Sequence, residues 1–235
     1  MKNQYFADTR DLFKYDLVMR IVSANPQVKQ FTFIPMLTRN RQGDGGEETD
    51  YSTAKAGTNN LELITFLKDC LRNNRRDITE LENFFANSLE GIRFTIYKQD
   101  LFFTCAERTR YFDEINEKLL RSALILVDPD TGLEPGNNTA DEKYLRYREV
   151  KLLYETMDRK SMILIFQFIP RKERLSYFAS ISKRLRAEIA QSVNVYYVSD
   201  NEVVFFILTK EENERLKGAL SLYAKDSSLI VGLEP

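Results

Sequence analysis

Acidic residues follow an apolar segment near the middle of the chain. Residues 122–128 read SALILVD, and Asp128, Pro129, Asp130 and Glu134 come within the next few positions. Carboxylates crowded at the end of a buried strand repel one another unless a cation, a proton or a hydrogen-bonding ligand lies between them. Asp, Pro and Gly are also ordinary turn residues, so a tight turn is the alternative interpretation. This segment is the first candidate for a functional site.

Composition narrows the chemistry that such a site could perform. The 235 residues include no His and only two Cys, Cys70 and Cys105. Without imidazole there is no Ser-His-Asp or Cys-His nucleophile, so any chemistry must use carboxylates, lysine, tyrosine, amides or a bound cofactor. Two distant cysteines predict neither a zinc site nor a disulfide framework.

Charge and hydropathy limit the binding partners and the cellular compartment that we expect. The chain has 34 basic and 35 acidic side chains, so its net charge of −1 gives no global reason to expect nucleic acid or membrane. The amino-terminal residues lack the apolar run of a signal peptide, and no stretch approaches the roughly 18 apolar residues of a membrane span. We therefore expect a cytoplasmic protein; the sequence leaves its oligomeric state open.

The first half of the chain predicts the elements that precede this site. Leu12, Tyr15 and Val18 recur at helical steps, and Asp8 can cap the helix that they predict over residues 8–24. The following patterns predict a strand over 30–37, a polar loop over 38–60, helices over 61–73 and 78–89, a strand over 92–98 and a helix over 106–120.

The second half predicts the fold class. Two continuous apolar runs, 122–128 and 161–169, flank a charged helical pattern over 141–157, which is typical of parallel strands with crossover helices. A helix over 171–191 leads to a hairpin, 193–199 and 203–209, around Asp200-Asn201. A helix and a short strand over 211–235 follow. We predict one three-layer Rossmann-like α/β domain over 1–235, with a mostly parallel sheet and an antiparallel hairpin. Residues 1–26 would form an amino-terminal helix, 27–210 the core and 211–235 an extension.

Several short motifs carry a family resemblance. The segment beginning at Tyr5 reads YFADTRDLFKY, and Asp128-Pro129 follows a buried strand. Together with the hairpin, these residues resemble the Rossmann-fold (class I) methyltransferases of the ribosomal RNA adenine N6-methyltransferase type. The chain is more similar still to a bacterial family with a YFGD…KY opening and a DPDNGLE strand end. That likeness covers residues 4–175 and also takes in Lys143-Tyr144, Glu149 and Phe166-Gln167-Phe168.

The resemblance implies a catalytic site and a cofactor. Asp128 would accept a hydrogen bond from an amino group that Pro129 helps to orient, with Asp130 and Glu134 beside them. Gln167 would face the same crevice. S-adenosylmethionine would lie over the end of the first strand, held by a group of residues from that end and from the first helix: Asp8, Asp11, Lys14, Thr38, Gly43 and Gly45.

The chain also departs from the methyltransferase pattern. Asp130 and Thr131 stand where the motif has a second proline and a base-stacking aromatic residue. No GxGxG follows the first strand directly, and Phe168 stands where the similar family has a histidine. The predicted sheet has one strand fewer than the methyltransferase sheet. A second expectation is therefore a protein that retains the fold but has altered or lost the chemistry.

A nuclease motif is the competing interpretation. Pro129-Asp130 followed by Asp141-Glu142-Lys143 satisfies the PD-(D/E)xK spacing, in which two carboxylates hold Mg²⁺ and a lysine lies near the attacking water. Mg²⁺ is expected only under this interpretation. Such nucleases need the second half of the motif on a strand beside the first, whereas residues 141–146 are predicted to open a helix. That prediction weighs against the nuclease.

Basic residues suggest a partner. Most of them are typical of solvated helix faces, but Arg171 and Lys172 directly follow the second buried strand and would lie at the rim of the crevice. A phosphate of a nucleic acid or nucleotide would fit there. A third hypothesis is a non-catalytic protein on a degenerate methyltransferase fold that binds nucleic acid, a nucleotide or a protein; the family suggests phage defence as its setting.

Overall fold

Strands and helices alternate along the chain. The structure is a computed structural model that describes residues 1–40, 48–136, 141–227 and 229–233. Its strands are β1 Gln30–Pro35, β2 Arg93–Ile96, β3 Ala123–Asp128, β4 Gly132–Leu133, β5 Tyr144–Leu145, β6 Met162–Phe168, β7 Asn194–Ser199, β8 Val203–Thr209 and β9 Ile230–Gly232. Its α-helices are α1 Thr9–Ala24, α2 Leu61–Arg72, α3 Leu81–Ser88, α4 Arg108–Asp113, α5 Tyr147–Thr156, α6 Arg174–Glu188 and α7 Glu214–Ser227. Short 3₁₀ helices cover Asn3–Tyr5, Ile78–Glu80 and Glu117–Leu120. No described helix has the length and apolar character that crossing a membrane requires.

A seven-stranded sheet forms the centre of the fold, in the order β2-β1-β3-β6-β8-β7-β9. The pairs β1–β2, β1–β3 and β3–β6 are parallel, while β8 runs antiparallel to both of its neighbours, β6 and β7. β9 pairs antiparallel with β7 at the edge, and β4 and β5 form a separate two-stranded ribbon. The predicted Rossmann-like α/β fold with an antiparallel hairpin is confirmed.

Helices cover both faces of this sheet, because alternate residues of each buried strand point to opposite sides. In β3, Leu124 and Leu126 belong to the core shared with α1, α2, α3 and α7. Ile125 and Val127 belong to the core shared with α4, α5 and α6. The result is three layers, and it explains why β3 reads as an unbroken apolar run.

The first helix has clear end signals. The Asp8 side chain accepts hydrogen bonds from the backbone N–H groups of Arg10 and Asp11, as an N-cap residue does. At the other end, the Asn25 N–H donates to the Val22 carbonyl, and Pro26 follows. The predicted helix over 8–24 is confirmed, with Asp8 as its cap.

Several predicted helices differ in extent. The helix predicted over 78–89 is a 3₁₀ turn followed by α3, and the one predicted over 171–191 is α6, Arg174–Glu188. The segment 106–120 is divided into α4 and a 3₁₀ helix, because Asn116 accepts the Lys118 N–H and begins a new turn. The segment 141–157 is helical only from Tyr147. Before it, the Asp141 side chain accepts the N–H of Lys143 in a turn, and β5 pairs with β4. Such local side-chain bonds compete with helix formation.

Candidate functional site

One face of α1 carries a row of buried charges. Asp8, Asp11 and Lys14 are spaced by three residues, so they lie on the same side of the helix. Asp11 accepts the Ala7 N–H at 2.9 Å through Oδ2 and a hydrogen bond from Lys14 Nζ at 2.7 Å through Oδ1. These bonds tie the start of the helix to its first turns and hold the lysine in place.

Lys14 connects this row to the end of β3. Its Nζ also donates to Oδ2 of Asp128 at 2.7 Å. The relative exposures of Asp8, Asp11, Lys14 and Asp128 are 3%, 3%, 4% and 2%. An ammonium with two carboxylate partners at this depth stays charged. Burial acts to lower the pKa of Lys14, but Asp11 and Asp128 outweigh it and raise that pKa.

These charges border a cavity of about 360 Å³ at the carboxyl ends of β3 and β6. Its size is within the range of small-molecule sites, and open α/β sheets place their ligands at this edge. Six predicted site residues line it: Asp8, Asp11, Lys14, Asp128, Pro129 and Asp130. The structure therefore brings together two sequence segments that lie more than a hundred positions apart.

The amino-terminal residues form another wall of the cavity. The Met1 amino group lies 3.6 Å from Asp130 Oδ1, and Lys2 Nζ lies 3.8 Å from Oδ2 of the same residue. Burial lowers the pKa of the Met1 amino group, and the Asp130 carboxylate opposes that shift. Lys2 also lies over the Tyr5 ring, 5.6 Å from its centroid. Positive groups thus surround Asp130.

Arg10 lies between the cavity and the β7–β8 turn. Its guanidinium donates to Asp8 Oδ2 at 3.1 Å and to Glu202 Oε2 at 3.2 Å, and it stacks over the Phe168 ring at 5.0 Å from the centroid. A single arginine therefore divides its charge between two carboxylates while it covers an aromatic wall of the cavity.

The two carboxylates at the start of α1 have perturbed acidity. Burial, with the neighbouring Asp11 carboxylate, raises the pKa of Asp8 to about 7, although Arg10 opposes the shift. Burial also raises the pKa of Asp11, against the opposing effect of Lys14. Carboxyl groups that titrate near neutrality are enriched at functional sites.

Sequence reasoning missed six lining residues: Met1, Lys2, Tyr5, Arg10, Phe166 and Phe168. Strand parity could have identified two of them. Leu164 in β6 faces the α1 layer, so Phe166 and Phe168, two and four positions further, face that layer too. The residues before the first helix carried no comparable signal.

Because side chains alternate along a strand, Gln167 also faces away from the cavity. It lies between Phe166 and Phe168 in β6 and therefore points to the opposite face of the sheet. Its side chain accepts the Leu133 N–H at 2.7 Å and donates to the Phe168 carbonyl at 2.7 Å. Gln167 anchors the β4 ribbon, and it does not face Asp128 as the resemblance implied.

Other predicted site residues lie elsewhere. Both the N–H and the hydroxyl of Thr38 donate to the Met1 carbonyl, so the chain terminus covers the end of β1. Glu134 accepts the Tyr147 N–H at the start of α5. Arg171 and Lys172 are exposed and precede α6. Gly43 and Gly45 lie outside the described residues.

The structure also shows where the two halves of the nuclease motif lie. Its second half, Asp141 to Lys143, lies in a turn before β5, so the predicted helix is wrong there, but these residues are not on a strand beside β3 either. The Asp141 carbonyl binds Arg108, and neither Asp141 nor Lys143 lines the cavity that contains Asp130. Across the described ranges, no group of three acidic or cysteine side chains is arranged to hold a metal ion.

The fold and the cavity together define a Rossmann-like α/β protein with a buried charged site at the carboxyl ends of its parallel strands. Comparison of the chain with protein-family models, with curated proteins and with solved structures gives no match. The function is therefore argued from the site itself.

Proposed function

We propose that this protein is a Rossmann-like methyltransferase that transfers a methyl group from S-adenosylmethionine to an amino group, with a nucleic acid as the source of that amine. The observation that carries the proposal is the position of Asp128 and Pro129. They end the strand beside β1 and line the cavity. An aspartate-proline pair at this point is what the resemblance to class I methyltransferases implies.

Sheet order gives further support. Five strands, β2, β1, β3, β6 and β7, run in one direction, and the antiparallel β8 lies between β6 and β7. A parallel sheet finished by an antiparallel hairpin is the arrangement of class I methyltransferases. The order in which successive strands join the sheet switches sides between β1 and β3, and open α/β folds bind their ligands at such a switch point.

The residues of the cavity fit a sulfonium cofactor by their chemistry. The cavity combines the carboxylates of Asp8 and Asp11 with the apolar rings of Phe166 and Phe168, and Lys14 and Arg10 already lie over those two rings. The end of β1 does not fit the cofactor. The Thr38 hydroxyl donates a hydrogen bond to the Met1 carbonyl there, so Met1 covers that end. We therefore assign the cofactor to the β3–β6 cavity. The cofactor supplies an electrophilic methyl group.

Within this proposal, the chain positions the amine. The Lys14 hydrogen bond uses Oδ2 of Asp128, and Oδ1 is the oxygen that would accept an N–H of the ligand. That bond directs the nitrogen lone pair away from the carboxylate and toward the methyl donor. The Asp11–Lys14–Asp128 chain of bonds keeps the acceptor rigid, which lowers the reorganisation that the reaction requires.

The test is titration calorimetry with S-adenosylmethionine, followed by mass spectrometry of single-stranded RNA and DNA incubated with the protein and the cofactor. Asp128→Asn should reduce methyl transfer about 100-fold or more while it leaves cofactor binding largely intact. Asp16→Asn is the matched control, because Asp16 is a buried aspartate on the same helix that pairs with Arg20 outside the cavity.

The outcomes separate the hypotheses. No heat at millimolar S-adenosylmethionine would remove the methyltransferase proposal. Cofactor binding without transfer to any amine would support the non-catalytic alternative. Equal activity of Asp128→Asn and the Asp16→Asn control would show that Asp128 is not the acceptor.

A further inference from the structure

An aromatic ring is exposed in the loop that follows β2. Phe102 is 43% exposed, although the Arg39 guanidinium lies over its ring at 5.5 Å from the centroid. Arg39 is exposed as well, and no carboxylate among the described residues pairs with it. The two side chains therefore offer solvent an accessible ring surface and a guanidinium whose charge is not neutralised nearby.

The residue after Phe102 holds this ring in place. The Phe103 N–H donates to the Leu37 carbonyl at 2.7 Å, which fixes the loop to the end of β1. The Phe103 side chain is buried and packs edge-on against Tyr111, with ring centroids 5.0 Å apart. Because its neighbour is anchored, Phe102 stays exposed on an ordered loop, and a ligand that contacts it has little ordering cost to meet.

Arg39 lies beside the amino-terminal wall of the cavity. The residue before it, Thr38, donates its N–H to the Met1 carbonyl at 2.7 Å. The residue after it, Asn40, accepts the Gln4 N–H at 3.2 Å through its side chain. Met1 lines the cavity, so Arg39 is held directly beyond that wall.

The pair of Phe102 and Arg39 is also close to the proposed acceptor. Its loop is bonded at the end of β1, and Asp128 ends β3, the strand that pairs with β1. Neighbouring strands lie about 4.8 Å apart, so the two positions are adjacent along the carboxyl edge of the sheet. A chain molecule that places one group at Asp128 therefore extends over Phe102 with a neighbouring group.

We infer that Phe102 and Arg39 bind the nucleotide next to the target in a single-stranded nucleic acid, the ring stacking on its base and the guanidinium contacting its phosphate. Proteins hold single strands by this combination of aromatic faces and basic side chains. Thr131 stands where the methyltransferase motif has its stacking aromatic residue, so Phe102 supplies an aromatic surface from outside that motif. The inference rests on the proposed function for the class of substrate, and it adds the residues that hold that substrate.

Fluorescence anisotropy with labelled 12-nucleotide single strands of DNA and RNA measures this contact without any methyl transfer. Phe102→Ala should weaken binding of the tighter strand about tenfold, because one base–aromatic stack contributes affinity of that order. Phe102→Leu should lose nearly as much, since it keeps an apolar side chain but no ring, whereas Phe102→Tyr should stay within about threefold of the wild type. Leu222→Ala is the matched control, because Leu222 is an exposed apolar residue on α7.

Salt dependence separates the phosphate contact from the stack. Arg39→Gln should reduce the slope of log Kd against log salt concentration by about 0.7, the value of one phosphate contact with a single strand. Phe102→Ala should leave that slope unchanged. Arg121→Gln is the control for charge, because Arg121 is exposed and precedes β3 at the opposite edge of the sheet, and it should change neither affinity nor slope.

The results that would overturn the inference are specific. They are no binding of either strand at about 100 μM protein, equal affinities of Phe102→Ala and Leu222→Ala, or a loss that Phe102→Tyr shares with Phe102→Leu. If the strand binds through Phe102 but S-adenosylmethionine gives no heat, the methyltransferase proposal fails and this inference stands. If methyl transfer occurs with equal kcat/KM for the oligonucleotide in the wild type and Phe102→Ala, the reverse holds.

Discussion

Asp8 should make the folded protein more stable in mild acid than at neutral pH. Its pKa is raised from 3.8 to about 7 by burial, so the folded chain binds more protons than the unfolded chain between those values. Stability therefore rises as the pH falls through 7, and the contribution is absent well above it. This pH dependence of stability is opposite to that of a typical salt-bridged aspartate, whose stabilising effect is lost in acid.

The magnitude follows from the pKa. Each pH unit below 7 adds about 1.4 kcal/mol, so the change from pH 7.5 to 5.5 contributes about 2 kcal/mol. Carboxyls with lowered pKa, such as Asp158, titrate below this window and do not oppose it. In Asp8→Asn the group no longer titrates, and the asparagine keeps the helix cap.

Urea unfolding of the wild type, Asp8→Asn and Asp16→Asn at both pH values gives the comparison. The wild type should gain about 2 kcal/mol relative to Asp8→Asn on going from pH 7.5 to 5.5, whereas Asp16→Asn should follow the wild type. If wild type and Asp8→Asn change in parallel, the carboxyl is not protonated near neutrality, and the argument that burial raises its pKa is refuted.

Three further substitutions test the site and its supports. Lys14→Met should destabilise the fold by about 3–5 kcal/mol in thermal or urea unfolding, because it leaves Asp128 buried without its ammonium. Ala7→Gly should leave stability within about 1 kcal/mol of the wild type, because relief of strain at its φ of 69° offsets the loss of a buried methyl group; a larger shift of the urea midpoint in either direction would contradict this. Gly132→Ala should lower stability by about 2 kcal/mol or more, since φ is +139° and a Cβ would collide with the Gln167 side-chain amide; an unchanged melting temperature would refute it.

The position of Lys14 has a bearing on the proposed reaction. A catalytic aspartate that already binds an ammonium can accept only limited further hydrogen bonding, and Lys14 therefore sets the orientation of Asp128. One carboxylate and one ammonium that are both buried must be present together.

Much of the fold follows from local patterns. Continuous apolar runs located the central strands, period-3.6 hydrophobicity located α1, and the Asp200-Asn201 turn located the hairpin. Errors arose where short-range side-chain bonds competed with the helix. Asn116 and Asp141 both accept nearby N–H groups, and a helical pattern of apolar residues does not reveal that competition.

The sequence by itself determined that Asp8, Asp11 and Lys14 share a helix face and that Asp128 ends a buried strand, because both facts depend on local spacing. Only the tertiary structure decided that these residues meet, since the Lys14–Asp128 bond joins positions 114 residues apart. The structure also decided that Phe166 enters the cavity and Gln167 does not. The physical reason is register, because a side chain faces a given layer only through the pairing of its strand.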